Sequence, residues 1–158
     1  MKRKEMNVFV IEEDARFSEV LENTIKAKGH NVIRYESVED CLRSNRKNPD
    51  LAFISQNSSN ASSNTALIQE IKFNSPSTRL VVMSQKESLE LAVRALKNGA
   101  SDFIVKDAKL LARIGITIQK AEQAIAEKQE NWAEKVLKRA LPTIGVSALG
   151  SILLLILR

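Results

Sequence analysis

Short apolar runs alternate with amphipathic segments along most of the chain, and this alternation predicts its secondary structure. Each run has four or five residues and is rich in β-branched or aromatic side chains, as is typical of strands buried on both faces of a parallel sheet. The segments between the runs repeat apolar residues near helical spacing, and two of them end at a glycine. The predicted strands are residues 7–11, 31–35, 51–54, 79–83 and 102–105.

Helices are predicted in the segments that follow the strands, and the last of these helices is long. Strands that alternate with helices at this spacing predict a parallel sheet covered on both faces and joined by right-handed crossovers. Five such units match an α/β, flavodoxin-like, doubly wound sheet with strand order 2-1-3-4-5, followed by an extended C-terminal helix and a hydrophobic tail. The predicted helices are residues 15–28, 37–46, 65–73, 88–98 and 108–140.

The composition narrows the classes of function. The 158 residues carry 24 Lys and Arg against 19 Asp and Glu, but the basic residues are scattered and aromatic residues make up only 4%, so a nucleic-acid surface is not expected. Cys41 is the only cysteine, which excludes an intrachain disulfide and a thiol zinc site and predicts a buried, inert thiol. His30 is the only histidine, and its place after Gly29 predicts a solvated loop residue rather than a catalytic base.

Polar side chains that could carry chemistry stand at the ends of the predicted strands. In an open parallel sheet, ligands gather at the carboxyl ends of the strands. Acidic groups there can hold a hard divalent cation, while a hydroxyl and an ammonium can bind phosphoryl oxygens. The candidates are Glu12, Glu13 and Asp14 after the first strand, Ser55 at the end of the third, Ser84 at the end of the fourth and Lys106 at the end of the fifth.

These segments, together with the stretch from Ala92 to Lys106, resemble the response-regulator receiver family over about residues 6–125. The resemblance implies a domain of two-component signalling, a phosphorelay in which an aspartate at the end of the third strand accepts a phosphoryl group from a histidine kinase. It also implies that Glu12 and Glu13 match the acidic pair of the family, that Ser84 matches the switch hydroxyl, and that Lys106 matches the family's lysine.

The departures from the family pattern are as informative as the matches. Ser55 stands at the phosphoacceptor position, and a serine can neither form an acyl phosphate nor serve as the carboxylate ligand of a metal. Glu13 occupies the metal-ligand position with an extra methylene, so at most weak Mg²⁺ binding is expected, and no other cofactor. Asp107 follows Lys106 where the family usually has proline, and the Asn- and Ser-rich residues 56–64 predict a mobile polar loop beside the acceptor position.

The sequence therefore predicts a degenerate, non-enzymatic pseudo-receiver that acts as a scaffold for protein binding. In the family, the surface of helix four, strand five and helix five meets partners, which corresponds here to about residues 88–120. Lys106 is expected to pair with Glu12 or Glu13 as a static charge cluster, and no nucleophile–base pair can be assembled from these residues. The alternative hypothesis is a receiver switched by another input, namely phosphorylation of Ser55, a small anion or a divalent metal.

The C-terminal part predicts two further segments beyond a receiver-like domain at residues 6–125. Residues 126–140 are highly charged and rich in helix formers, which favours a solvated helical stalk or a helix that pairs with a partner. Residues 141–157 carry no charge and reach about 25 Å as a helix, which predicts a marginal transmembrane span.

The basic residues before this segment predict a single-pass, tail-anchored membrane protein with the receiver domain in the cytoplasm. Small residues recur every four positions at Thr143, Ser147 and Ser151, which favours close helix contact and a homodimer. The alternative left open by the sequence is a tail that packs onto a partner without entering a membrane.

Overall fold

The computed structural model describes residues 4–44, 49–56 and 61–140. Strands and helices alternate along these ranges in the predicted order. The strands are β1 (Asn7–Ile11), β2 (Asn31–Tyr35), β3 (Leu51–Gln56), β4 (Arg79–Ser84) and β5 (Asp102–Val105). The helices are α1 (Ala15–Lys26), α2 (Val38–Arg43), α3 (Ala61–Asn74), α4 (Leu89–Lys97) and α5 (Leu110–Ala140).

The five strands form one parallel sheet in the order β2-β1-β3-β4-β5, which confirms the predicted fold class. The register places Ile11 opposite Ile54 and Ser84 opposite Val105, so the carboxyl ends of these strands meet at one edge of the sheet. Strands β1, β3 and β4 lie inside the sheet and are almost entirely buried, which explains why their sequences are continuous apolar runs.

The core lies on both faces of this sheet. One cluster of buried residues joins alternate positions of β1, β3 and β4 to α2, α3 and α4, with Phe9, Ile54 and Val82 among its members. Leu21 of α1 and Ile114 of α5 are also fully buried, but neither helix contributes a residue to that cluster. Since successive side chains of a strand point to opposite faces, α1 and α5 cover the other face of the sheet.

One cap and one turn hold the two ends of α1. Asp14 is the N-cap of α1, and its Oδ1 accepts hydrogen bonds from the backbone N–H groups of Arg16 at 2.9 Å and Phe17 at 3.1 Å. Gly29 follows the helix with φ +86°, a conformation that L side chains rarely adopt, and turns the chain into β2. The cap fixes the segment that links the carboxyl end of β1 to α1.

Both boundaries of the predicted loop at residues 56–64 are wrong, because β3 extends into its start and α3 begins before its end. Gln56 belongs to β3, and α3 begins at Ala61, four residues before the predicted start of this helix. The side chain of Asn64 is buried, and its Nδ2 donates to the carbonyl oxygen of Ser55 at 3.1 Å. This tertiary contact favours helix over the loop that the Asn and Ser residues predict locally. The residues between, 57–60, lie outside the described ranges.

His30 is buried, which corrects the prediction of a solvated loop residue. Its Nδ1 accepts a hydrogen bond from the backbone N–H of Met6 at 3.4 Å, and the N–H of Asn31 donates to the carbonyl oxygen of Met6 at 2.9 Å. The turn at Gly29 brings His30 against the start of β1, and the side chain satisfies a backbone donor there.

The predicted membrane localisation is corrected by the helices of the structure. Within residues 4–44, 49–56 and 61–140, none of them combines the length and the apolar character that a bilayer span needs. The longest, α5, has 31 residues but carries charges such as Glu127, Lys128 and Lys135, which are costly to place in hydrocarbon. The prediction is therefore wrong for the described part of the chain, and the predicted anchor at residues 141–157 lies outside it.

The chain divides into two compact units, Met1–Ala121 and Glu122–Arg158. The first contains the sheet. In the second, the described residues belong to α5, where Trp132 is exposed and Lys138 forms an ion pair with Glu134 at 2.7 Å. The buried residues of α5 end at Ala121. The domain limits predicted from sequence, residues 6–125 and 126–140, remain predictions.

Two phenylalanines offer a matched test of this core. Phe53 in β3 is fully buried, whereas Phe73 in α3 is 88% exposed. We expect Phe53→Ala to lower the free energy of unfolding by about 3–5 kcal/mol because it leaves a cavity, and Phe73→Ala to change it by less than about 0.5 kcal/mol. Chemical denaturation of both variants measures this difference. Similar losses for the two variants would contradict the burial described above.

The thiol of Cys41 offers a second test. Burial, with a smaller contribution from the Glu70 carboxylate, raises the pKa of Cys41 to about 12. We expect the native protein at pH 8 to resist thiol reagents, because the thiolate is the reactive form, and to react fully once it is unfolded in denaturant. Above its ordinary pKa the unfolded thiol ionises while the folded thiol stays protonated, so alkaline pH favours unfolding. Rapid labelling of the native protein would contradict this picture.

Candidate functional site

A cleft of about 310 Å³ opens at the carboxyl ends of the strands. Every residue that the sequence singled out at this edge lines it, so the fold brings together groups that lie far apart in the chain. The lining residues are Glu12, Glu13, Asp14, Ser55, Gln56, Ser84, Gln85, Lys86, Leu91 and Lys106.

The ammonium group of Lys106 is the centre of this site. Its Nζ donates to Oε2 of Glu12 at 2.6 Å and to Oγ of Ser55 at 2.7 Å. The side chain of Lys106 is only 12% exposed and that of Glu12 only 4%, so this ion pair is largely shielded from water. Of the two carboxylates considered as partners from sequence, the one paired with Lys106 here is Glu12.

The carboxylate of Glu12 is held at both of its oxygens. Oε1 accepts a hydrogen bond from the backbone N–H of Asp14 at 3.1 Å, while Oε2 receives the ammonium of Lys106. The backbone N–H of Glu12 donates to the carbonyl oxygen of Tyr35 in β2 at 3.0 Å. These bonds satisfy a charge that is buried, which is the condition for placing it there without a large loss of stability.

Glu13 and Asp14 are exposed, whereas Glu12 is buried, and their roles differ from that of Glu12. Asp14 caps α1, whereas Glu13 lines the mouth of the cleft. In residues 4–44, 49–56 and 61–140, no group of three or more His, Cys, Asp or Glu side chains is arranged to hold a metal ion. Weak Mg²⁺ binding at Glu13 stays a prediction.

Ser84 ends β4 and is almost fully buried. Its Oγ accepts a hydrogen bond from the backbone N–H of Lys86 at 3.1 Å, which turns the chain after the strand. The backbone N–H of Lys106 donates to the carbonyl oxygen of Ser84 at 2.8 Å, which joins the ends of β4 and β5. The hydroxyl therefore has a local structural partner at the strand end.

Asp107 fixes the turn between β5 and α5 by hydrogen bonds, and the described residues contain no cis peptide bond. Its Oδ1 accepts from the backbone N–H of Lys109 at 2.8 Å, and its Oδ2 accepts from Arg113 at 2.9 Å. Arg113 also donates to the carbonyl oxygen of Val105 at 3.2 Å. The bond from Lys109, helped by the Arg113 charge, holds the pKa of Asp107 below its ordinary value. This turn holds the backbone on which Lys106 is carried.

Phe17 was not among the residues that the sequence singled out. The Nζ of Lys106 lies 4.7 Å from the centroid of the Phe17 ring, within the range of a cation–π contact. The signal that could have found it is the cap: Asp14 before the helix places Phe17 in the first turn, next to the acidic segment. The other lining residues were also not predicted, namely Gln56, Gln85, Lys86 and Leu91.

The chemistry open to these groups is limited. An ammonium that donates to both Glu12 and Ser55 carries its proton and cannot at the same time accept the proton of the serine hydroxyl. The close approach of Ser55 to Lys106 is a polar contact in which the ammonium donates to the hydroxyl oxygen. The site is best described as a shielded ion pair that is hydrogen-bonded to a serine.

Comparison with known proteins places this chain in a family. Residues 8–115 match the response regulator receiver domain. The chain is 26% identical over 140 residues to the DNA-binding transcriptional regulator NtrC of Proteus hauseri, with 88% of this chain and 29% of that protein covered. It is 28% identical over 153 residues to the transcriptional regulatory protein ZraR of Salmonella typhimurium, with 96% and 32% covered. The chain thus spans about a third of the length of these relatives.

Solved structures share the fold. A response regulator from Thermotoga maritima is 24% identical with a TM-score of 0.64, covering 76% of this chain and 99% of that one. An orphan response regulator of H. pylori is 29% identical with a TM-score of 0.60, covering 73% and 98%. A response regulator from Burkholderia pseudomallei, solved with a phosphorylated aspartic acid, a calcium ion and citrate, is 20% identical with a TM-score of 0.62, covering 91% of each chain.

The family match covers more than two thirds of the chain, and the sheet order is the one that the alternation of strands and helices predicted. This chain belongs to the response regulator receiver domain family.

Proposed function

We propose that this chain is a pseudo-receiver, a receiver domain that works without phosphorylation on aspartate and presents a fixed surface for protein binding. The observation that carries the proposal is Ser55 at the end of β3, hydrogen-bonded to Lys106 at 2.7 Å. A phosphorylated aspartic acid is present in the Burkholderia pseudomallei response regulator. In this chain the lysine meets a serine hydroxyl, which has no carboxylate from which to form an acyl phosphate.

The ion pair supports a static site. Lys106 is bound to Glu12, whose other oxygen is bound to the backbone of Asp14, so the charges at the centre of the cleft neutralise one another. Receiver domains are in general signalling domains and not enzymes, and this arrangement lacks an activated nucleophile. We therefore assign the cluster a structural role that keeps the carboxyl ends of β1, β3 and β5 together.

A partner surface is supported on α4. Leu89, Val93 and Leu96 are 81%, 40% and 48% exposed, and their spacing places them on one face of the helix. Exposed apolar rows of this kind mark protein-binding sites. On α5, Leu111 and Ile116 are about half exposed. All five residues fall within residues 88–120, the surface that the resemblance implies for partners, and a second copy of the chain is one protein that could occupy it.

The alternative, a receiver switched by phosphorylation of Ser55, a small anion or a metal, has weaker support. Ser55 belongs to β3, pairs with Met83 of β4, and its carbonyl oxygen accepts from Asn64, so its backbone is already bound within the domain and is not presented to a kinase as a separate peptide. An anion would have to compete with Glu12 for Lys106. The described residues hold no grouped metal ligands.

Phosphoryl analogues test the proposal directly. We expect acetyl phosphate or beryllofluoride with Mg²⁺ to leave the amide NMR signals of Ser84 and Lys106 unchanged, because no carboxylate is present at Ser55 to accept them. The matched control is the double variant Ser55→Asp with Glu13→Asp, which restores the acceptor and shortens the metal-ligand side chain; its signals are expected to shift. A Mg²⁺-dependent shift in the natural protein would overturn the proposal.

The structural role of the ion pair gives a second test. We expect Lys106→Met to lower the free energy of unfolding by about 3–5 kcal/mol, because it leaves the Glu12 carboxylate buried without its partner. The control is Lys138→Met, which breaks the exposed pair with Glu134 and is expected to cost less than about 1 kcal/mol. Adding Glu12→Leu to Lys106→Met should recover much of the loss, and failure to do so in denaturation experiments would contradict a static pair.

A further inference from the structure

We propose that Phe17 is a positioning residue that completes the enclosure of the Lys106 ammonium and thereby excludes small anions from the cleft. The inference rests on the proposed pseudo-receiver function and adds to it the residue that keeps the lysine from binding an anion. It concerns a contact that neither the sequence motifs nor the family resemblance pointed to.

The donors of Lys106 can be accounted for one by one. A lysine ammonium has three N–H donors and no acceptor. One donor is used by Glu12 at 2.6 Å and one by Ser55 at 2.7 Å. Nζ also lies over the Phe17 ring, 4.7 Å from its centroid, in a cation–π contact. An anion that enters the cleft therefore has to displace one of these three partners.

Ser55 makes the ring contact more important. With a hydroxyl at this position, Glu12 supplies the formal negative charge that contacts the ammonium. The negative face of an aromatic ring attracts a shielded cation without adding a charge that would itself need to be neutralised. The charge of Lys106 is therefore balanced by Glu12 and the Phe17 ring, although Ser55 of β3 is neutral.

One short segment holds both partners in place. The backbone N–H of Asp14 donates to Oε1 of Glu12, and Oδ1 of Asp14 accepts the backbone N–H of Phe17 at 3.1 Å. The cap of α1 therefore fixes Glu12 on one side of Lys106 and Phe17 on another. A change in the Phe17 side chain that keeps the cap alters the enclosure without altering the backbone that carries it.

The test is a titration of the full chain with inorganic phosphate, followed by the amide NMR signals of Ser84 and Lys86. Phe17→Leu removes the aromatic face and keeps an apolar side chain. We expect it to bind phosphate about two- to thirtyfold more tightly than the natural protein, which is the range of a cation–π contact. Phe17→Trp, which offers a stronger aromatic face, should bind no more tightly than the natural protein. Phe17→Met replaces the leucine variant if that variant does not fold.

A second readout separates positioning from general loosening of the fold. Amine acylation followed by mass spectrometry should show faster labelling of Lys106, relative to the exposed Lys138, in Phe17→Leu but not in Phe17→Trp. Equal phosphate affinity and equal Lys106 labelling in the natural protein and Phe17→Leu would overturn the inference. That outcome leaves the pseudo-receiver proposal standing, since the proposal is decided by the response of the natural protein to beryllofluoride and Mg²⁺.

Discussion

A lysine and a glutamate that are both largely withheld from water constrain the rest of this structure. Lys106 and Glu12 are joined at 2.6 Å, and their side chains are 12% and 4% exposed. Buried charges destabilise a fold unless they are paired and hydrogen-bonded, so both groups have to be met by fixed partners. The partners of Lys106 come from the ends of β1 and β3 and from the first turn of α1. They meet at the ammonium only if the strands pair in this register and α1 packs against the sheet as it does. The pair thus depends on the parallel sheet and stabilises the same edge of it.

Ser55 lies near the end of β3 beside Lys106, and under the proposed function it occupies the position of an acidic acceptor. The serine hydroxyl still reaches Lys106, Ser84 still ends β4, and Asp107 with Arg113 fixes the turn after β5 by hydrogen bonds. Under the proposed function, the frame of a receiver is retained without the group that would carry a high-energy phosphoryl bond. A scaffold of this kind is suited to binding a partner in one constant state. The exposed apolar row on α4 is a surface where such binding is physically reasonable.

The second unit of the chain has a different character. Its described residues lie in α5 beyond the last buried position, Ala121, and they combine exposed Trp132 with many charges. The helix has no described span that could cross a membrane. Its described residues are mostly exposed, and good helix formers and pairs such as Glu134 with Lys138 favour the helix.

Sequence alone determined the strands and helices, their order in the sheet and the identity of Ser55 at the critical strand end, because these follow from local periodicity and from residue type. Only the tertiary structure decided that Lys106 meets Glu12 while Glu13 faces solvent, that Phe17 contacts the ammonium, that His30 is buried, and that Asn64 extends α3 into a predicted loop. Lys106 is 94 residues from Glu12 and 51 from Ser55. Neighbouring residues point to opposite sides of a strand end, and which one faces the lysine is set by sheet register and helix packing, which no short stretch of sequence contains.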